Sequence, residues 1–267
     1  MIAAIIQARM GSTRLPGKVM KQVRGKPLLY YLIKQVQSCK ELSKIIIATT
    51  ILKEDDQIVQ YVRSLGCNIY RGSVEDVLSR YYFCAKEHDV DIIVRITSDD
   101  PLIDPQIIGR CIREFEHGDL DYLSNTIKKE HNVWIHSNNK FPYGLDVEVF
   151  SFDALEKAYQ NAKKPSEREH VTPYMINNPK QFKLGNIENS DDFSIIRVTV
   201  DYQIDFDVVK NIIEHFPEDE IFSMSKITSY LKQNSKLMLM NSKLPGWEGY
   251  LKSLKEDEVF EKHDSHM

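Results

Sequence analysis

The sequence predicts an α/β protein, a doubly wound and mostly parallel sheet carrying a smaller mixed α+β elaboration. Three observations lead there. Short β-branched apolar runs at 2–6, 44–49, 68–70 and 91–96 alternate with helical patterns near 27–39, 54–65 and 75–88. The alternation has no linker-like break, and 267 residues with 42% hydrophobic content can bury one substantial core. The densest mixture of cations and small residues, Gln7 to Lys18, falls in the first strand-to-helix connection, where such sheets bind ligands.

Taken in order, the run Ile2-Ala3-Ala4-Ile5-Ile6 is the first strand. In 27–39, Leu28, Leu29, Leu32, Ile33 and Val36 recur at helical spacing, a core-facing stripe, and Pro27 suits a first helical turn. Asp104, directly before Pro105, suits the cap of a helix over 105–116. The second half departs from simple alternation, with strands near 121–124, 146–150, 181–186 and 194–200 and helices near 152–162 and 167–177. The polar interval 125–145, with Asn125, Asn132, Asn138, Asn139, Pro142 and Gly144, reads as a loop or a short hairpin over the site. Helices follow at 205–215, with Phe206, Val209, Ile212 and Ile213 on one face, and near 223–233.

One domain is therefore expected over 1–233, its ligand-binding part about 1–120 and its elaboration about 121–190. An extension, 234–267, follows. Its Leu237, Leu239, Leu244, Trp247, Tyr250 and Leu251 would pack back on the domain or across a dimer interface. The polar ending Lys262 to Met267, with His263 and His266, stands outside the fold argument.

With 35 basic and 39 acidic residues, the net charge of −4 implies no broad cationic face, which excludes nucleic acid as a partner class. No apolar run approaches a membrane span, and 2–6 is too short for a secretion signal, so a cytoplasmic protein is expected. Cys39, Cys67, Cys84 and Cys111 form no Cys-x-x-Cys pair, and His131 and His136 read as loop residues without ligand partners.

The chemistry begins in the Gln7-Ala8-Arg9-Met10-Gly11-Ser12-Thr13-Arg14 run and its continuation to Lys18. Gly11, Ser12, Thr13 and Gly17 let backbone N–H groups approach an anion, while Arg9, Arg14 and Lys18 supply opposing charge. The pattern is a triphosphate cradle, and its Pro16-Gly17-Lys18-Val19 ending does not fit a Walker A loop. Asp99, Asp100 and Asp104 follow the strand ending at Ile96, and hard oxygen ligands there suit Mg²⁺. A second carboxylate from elsewhere is expected. Asp201, ending the strand-like 195–200, is the candidate, although a carboxylate ahead of a helix also suits that helix's N-terminus. Asp146 and Glu148 can project from one strand face, lining a polar pocket or simply facing solvent. Arg71-Gly72-Ser73 could bring N–H groups to a base or sugar, or be a plain strand-to-helix turn.

These motifs, with 71–78, 95–104, 144–150, 167–174 and 198–201, resemble the cytidylyltransferases that activate 3-deoxy-manno-octulosonate and acylneuraminates, particularly the spore coat polysaccharide branch. The resemblance implies a Rossmann-like nucleotidyltransferase fold, CTP as substrate, a sugar acid or related phosphorylated or phosphonate acceptor, pyrophosphate as product, and a homodimer. It implies Asp99 and Asp201 as the Mg²⁺ carboxylates, places Thr97 with the nucleotide, and puts Arg168 and His170 with Asp146 and Glu148 at the acceptor. Ser98 stands where the family carries glycine, and the Arg-Arg-Gln stretch of acylneuraminate enzymes is absent. A metal-dependent glycosyltransferase of similar fold, or a nucleotide-binding regulator, would share parts of this pattern.

Overall fold

A computed structural model describes residues 1–131 and 133–264; Asn132 and His266 lie outside the described residues. The first strand, β1 (Ile2–Gln7), alternates its burial: Ala4 and Ile6 pack into one hydrophobic layer, Ala3 and Ile5 into the other. An apolar run without polar alternation is what a central strand, covered on both faces, requires. A small hairpin, β2 (Gln22–Val23) and β3 (Lys26–Pro27), leads into α1 (Leu28–Gln37). Pro27 is therefore extended and pairs with Gln22 ahead of the helix, not in its first turn.

The alternation then proceeds through β4 (Lys44–Thr50), α2 (Asp56–Ser64), β5 (Asn68–Gly72), α3 (Val77–Glu87), β6 (Ile92–Thr97) and α4 (Pro105–His117). Asp104 caps α4, accepting from Gln106 N at 2.7 Å, and also accepts from Met224 N at 2.7 Å. The elaboration comprises β7 (Tyr122–Ser124), the hairpin β8 (Ile127–Glu130) and β9 (Val133–His136), β10 (Glu148–Ser151), α5 (Phe152–Asn161), α6 (Pro165–His170), α7 (Pro173–Asn177) and β11 (Leu184–Asn186). The chain ends with α8 (Gln203–His215), α9 (Met224–Gln233), α10 (Ser235–Leu239) and α11 (Glu248–Asp264).

The main sheet has seven strands in the order β11-β7-β10-β6-β1-β4-β5. β10 runs antiparallel to both neighbours and every other pairing is parallel. Gln7 registers with Thr97, so β1 and β6 end together at the carboxyl edge.

Two further expectations are corrected. The segment 194–200 is not a strand; only an isolated bridge joins Arg197 to Tyr143, although Ile196, Val198 and Val200 are buried. The expected helix over 167–177 is two helices, broken at Val171, whose φ of 72° leaves the helical region. The polar ending from Lys262 is helical as far as Asp264. All four cysteines are free, three of them buried. No helix among the described residues is long and apolar enough to cross a membrane.

Candidate active site

Beyond β1 the chain folds back on itself. Met10 O accepts from Ser12 N at 2.8 Å and Gly17 N at 3.0 Å, and Gly17 takes a φ of 66° that lets the chain turn into the short helical turn Lys18–Met20. Asp55, fully buried, anchors the turn to the end of β4 by accepting from Met10 N at 2.7 Å while bonding Thr50. The fixed loop forms one wall of a cleft of about 630 Å³ lined by Gln7, Ala8, Arg9, Gly11, Ser12, Thr13, Arg14 and Lys18, and by Thr97, Ser98 and Asp99 from the end of β6. Arg9 is exposed there.

Arg80 joins this lining and sequence reading did not single it out. It is 2% exposed, and its guanidinium donates only to carbonyl oxygens, Ser73 O at 2.8 Å and Val74 O at 3.2 Å. No carboxylate pairs with it among the described residues, and burial lowers its pKa. A buried cation without a counter-ion beside an open cleft is suited to an anion. Arg71, Gly72 and Ser73 stay out of the cleft lining. Arg71 pairs with Asp56 at 2.6 Å and donates to Thr50 O and Leu52 O, both at 2.8 Å. Gly72 and Ser73 lie against Arg80, where a Cβ on Gly72 would come within 2.9 Å of Arg80 Cγ. The placement makes these three supports of Arg80 and of the strand end.

The predicted carboxylates converge on one cation. Lys18 Nζ lies 3.0 Å from Asp99 Oδ2 and 2.9 Å from Asp201 Oδ1. Arg14 reaches the same Asp201 oxygen at 2.6 Å, and Arg197 holds the other at 3.0 Å while pairing with the buried Asp205 at 2.9 Å. Asp205 also accepts from Asp201 N and Tyr202 N, both at 3.0 Å, which locks the turn that presents Asp201. Burial would raise the Asp99 carboxyl, but the Lys18 charge and hydrogen bonds bring it down to about 2. Lys18 is held charged in turn: burial opposes its proton, and Asp99 and Asp201 outweigh burial.

The same groups can be tested as a metal site. Asp99 Oδ1 is buried with no hydrogen-bond partner, a costly state for a carboxylate oxygen unless a cation meets it. Among the described residues no three His, Cys, Asp or Glu side chains form a ready-made cage. A magnesium ion bridging phosphates needs only one or two carboxylates, so Asp99 and Asp201 fit that donor set.

Asp146 and Glu148 lie beyond, on the approach to β10, with Leu145, Val147 and Val149 buried on the opposite face. Gly144 precedes them with φ 96°, and a Cβ there would fall 2.3 Å from Thr199 N, so only glycine passes. The two carboxyls diverge. Burial, the Glu148 charge and the Asp99 charge push Asp146 up to about 7, and it makes no hydrogen bond or ion pair among the described residues. Glu148 is buried, but Arg95, Thr172 at 2.6 Å and Tyr122 at 2.7 Å hold it ionised, below its usual value. Asp146 borders two adjoining cavities, one of about 130 Å³ shared with Asp99, Asp100 and Asp201, the other of about 160 Å³ shared with Glu148, Arg95 and His170. Burial drives His170 down to about 4, which makes it a neutral ring.

Arg168 does not reach either cavity. Its guanidinium pairs with Asp76, donates to Tyr159 O at 2.9 Å and lies over the Tyr159 ring, tying α6 to the start of α3. His136, expected in a loop, sits on β9 and lines the cavity of about 160 Å³. Asp100, Arg95, Trp247 and Tyr250 also border these cavities. Arg95 carried a signal, a cation inside an otherwise apolar β run.

Residues 3–244 match the family described as cytidylyltransferase. An uncharacterised protein of Methanocaldococcus jannaschii is 39% identical over 243 residues, 90% of this chain and 94% of the relative. Spore coat polysaccharide biosynthesis protein SpsF of Bacillus subtilis is 30% identical over 241 residues, 87% of this chain and 95% of the relative. Among solved structures, a cytidylyltransferase from Leptospira borgpetersenii is similar at a TM-score of 0.81 and 32% identity, covering 89% of this chain and 96% of the other.

Proposed function

Because this chain belongs to the cytidylyltransferase family over residues 3–244, we propose that it transfers CMP from CTP to a hydroxyl of a sugar acid or a related phosphorylated or phosphonate acceptor, with release of pyrophosphate. The name of the Bacillus subtilis relative supports a place in surface polysaccharide or glycan synthesis. One observation carries the reading: Asp99 and Asp201, far apart in sequence, meet at Lys18 between the cationic cradle and the acidic cavity.

In this reading Arg9, Arg14, Lys18 and Arg80 bind the triphosphate, and their charge offsets the negative charge that builds on the departing pyrophosphate. Gln7, Ala8 and Thr97 line the same cleft beside the nucleotide. Asp99 and Asp201 would hold a magnesium ion, which supplies charge neutralisation at the phosphates when bound. Glu148, fixed by three donors, orients acceptor hydroxyls. Asp146 takes the proton of the attacking hydroxyl, being poised near neutrality and without another hydrogen-bond partner among the described residues. The acceptor oxygen forms a bond to the α-phosphorus in line as the bond to pyrophosphate breaks. No covalent enzyme intermediate is required.

A pyrophosphate-release screen tests this, with CTP, UTP, GTP and ATP each offered magnesium and panels of 2-keto sugar acids, sugar phosphates and phosphonates. Release with CTP and at least one acceptor is expected. Acceptor-dependent release with another nucleotide but not CTP would overturn the base assignment, and glycosyl transfer without pyrophosphate would overturn the reaction.

A further inference from the structure

The acceptor-side cavity has one wall that the family match leaves out. That match ends at residue 244, whereas Trp247, directly before α11, and Tyr250, in its first turn, line the cavity. Their rings meet the His136 ring at 5.0 and 4.6 Å, and Tyr250 stands edge-on to His170 at 5.3 Å. Apart from Pro173, the remaining lining is polar, including Asp146, Glu148, Arg95 and His170. An aromatic wall joined to a wall of charged and polar side chains suits a carbohydrate ring, whose C–H face packs on aromatics while its hydroxyls find hydrogen-bond partners. The volume, about 160 Å³, suits a single ring.

The segment is built into the site. Asp257 accepts from Ser166 N at 2.9 Å and Ser166 Oγ at 2.6 Å, Ser253 Oγ donates to Glu169 at 2.7 Å, and Glu248 pairs with Arg14 at 3.0 Å and bonds Tyr202. Trp247 has a φ of 63°, a strained conformation for a bulky residue, of a kind that persists where surrounding contacts over-determine it and that clusters at ligand clamps.

We propose that Trp247 and Tyr250 contact the acceptor and determine which sugar ring the enzyme takes, so that the start of the C-terminal helix is part of the acceptor site. This rests on the cytidylyltransferase reading. Calorimetry with CMP, CMP-N-acetylneuraminate and CDP-glucose as probes tests it. At least one sugar-linked probe should bind the full-length protein about tenfold or more tighter than CMP. Trp247→Ala or Tyr250→Ala should remove that gain while CMP affinity stays within about threefold. A second readout does not depend on those variants folding. Trp134 and Trp247 are the two tryptophans, so in Trp134→Phe the emission of Trp247 should shift with the sugar-linked probe and not with CMP. A gain unaffected by both alanine substitutions, no gain in the unaltered protein, or unmoved Trp247 emission on saturation would overturn the proposal. Failure to bind CMP or CTP at all would overturn the cytidylyltransferase reading beneath it as well.

Discussion

Asp146 and Glu148 stand two residues apart, yet their surroundings give them opposite protonation. Three donors keep Glu148 ionised, while burial and neighbouring carboxylates move Asp146 up to about 7. If Asp146 is the base, kcat/KM should rise with pH through about 7, and Asp146→Asn should remove the rise and lower the rate about a hundredfold or more. A flat profile in the unaltered enzyme, with chemistry rate-limiting, would count against that role. The same shift makes a stability prediction. The folded state holds the Asp146 proton more tightly than the unfolded chain, so its stabilisation is fully present below about pH 4 and is lost as pH rises through about 7. Relative to the unaltered protein, Asp146→Asn should therefore gain about 1–3 kcal/mol between pH 5 and pH 8 in urea titrations. Arg80→Gln should weaken CTP about tenfold or more and cytidine less than threefold, because its partner in the account is a phosphate; equal weakening in calorimetry would place that partner elsewhere.

At the scale of elements, the 8–18 turn acts as one unit because Asp55 fixes its start and Lys18 its end. Arg14→Ala should accordingly weaken CTP much more than cytidine, and an equal loss for both ligands would detach Arg14 from the triphosphate. The parallel half of the sheet was legible in the sequence because β1, β4 and β6 are covered on both faces and read as mostly apolar runs, interrupted in β6 by Arg95. The second half was less so. Residues 194–200 alternate like a strand, but the fold supplies only Tyr143 as a pairing neighbour, so burial appears without a ladder. The break at Val171 had a visible cue in Pro173, which has no N–H to continue a helix and whose ring crowds the preceding turn. Arg80 had one too: it shares a helical stripe with Val77, Tyr81 and Cys84, all buried, where an arginine is out of place. Trp247 and Tyr250 could be read as apolar residues of an extension, but their position at the cavity depends on how α11 docks on α6, which no local pattern specifies.

Across the whole molecule, segments distant in sequence meet at one edge of the sheet. α11 exposes Leu251, Leu254, Val259 and Phe260, an apolar set consistent with the homodimer that we propose; sedimentation at micromolar concentration should give the dimer mass, and monomer alone would contradict it. The central claim is that Asp99, after β6, and Asp201, before α8, act together on the phosphates with a divalent ion. The most direct measurement is single-turnover CMP transfer from CTP, with and without magnesium, by the unaltered protein and by Asp99→Asn and Asp201→Asn, each checked for folding by circular dichroism. The account predicts dependence on the ion and a loss of about a hundredfold or more in each folded variant. Near-unaltered rates in either variant, or full activity after the ion is removed, would contradict it.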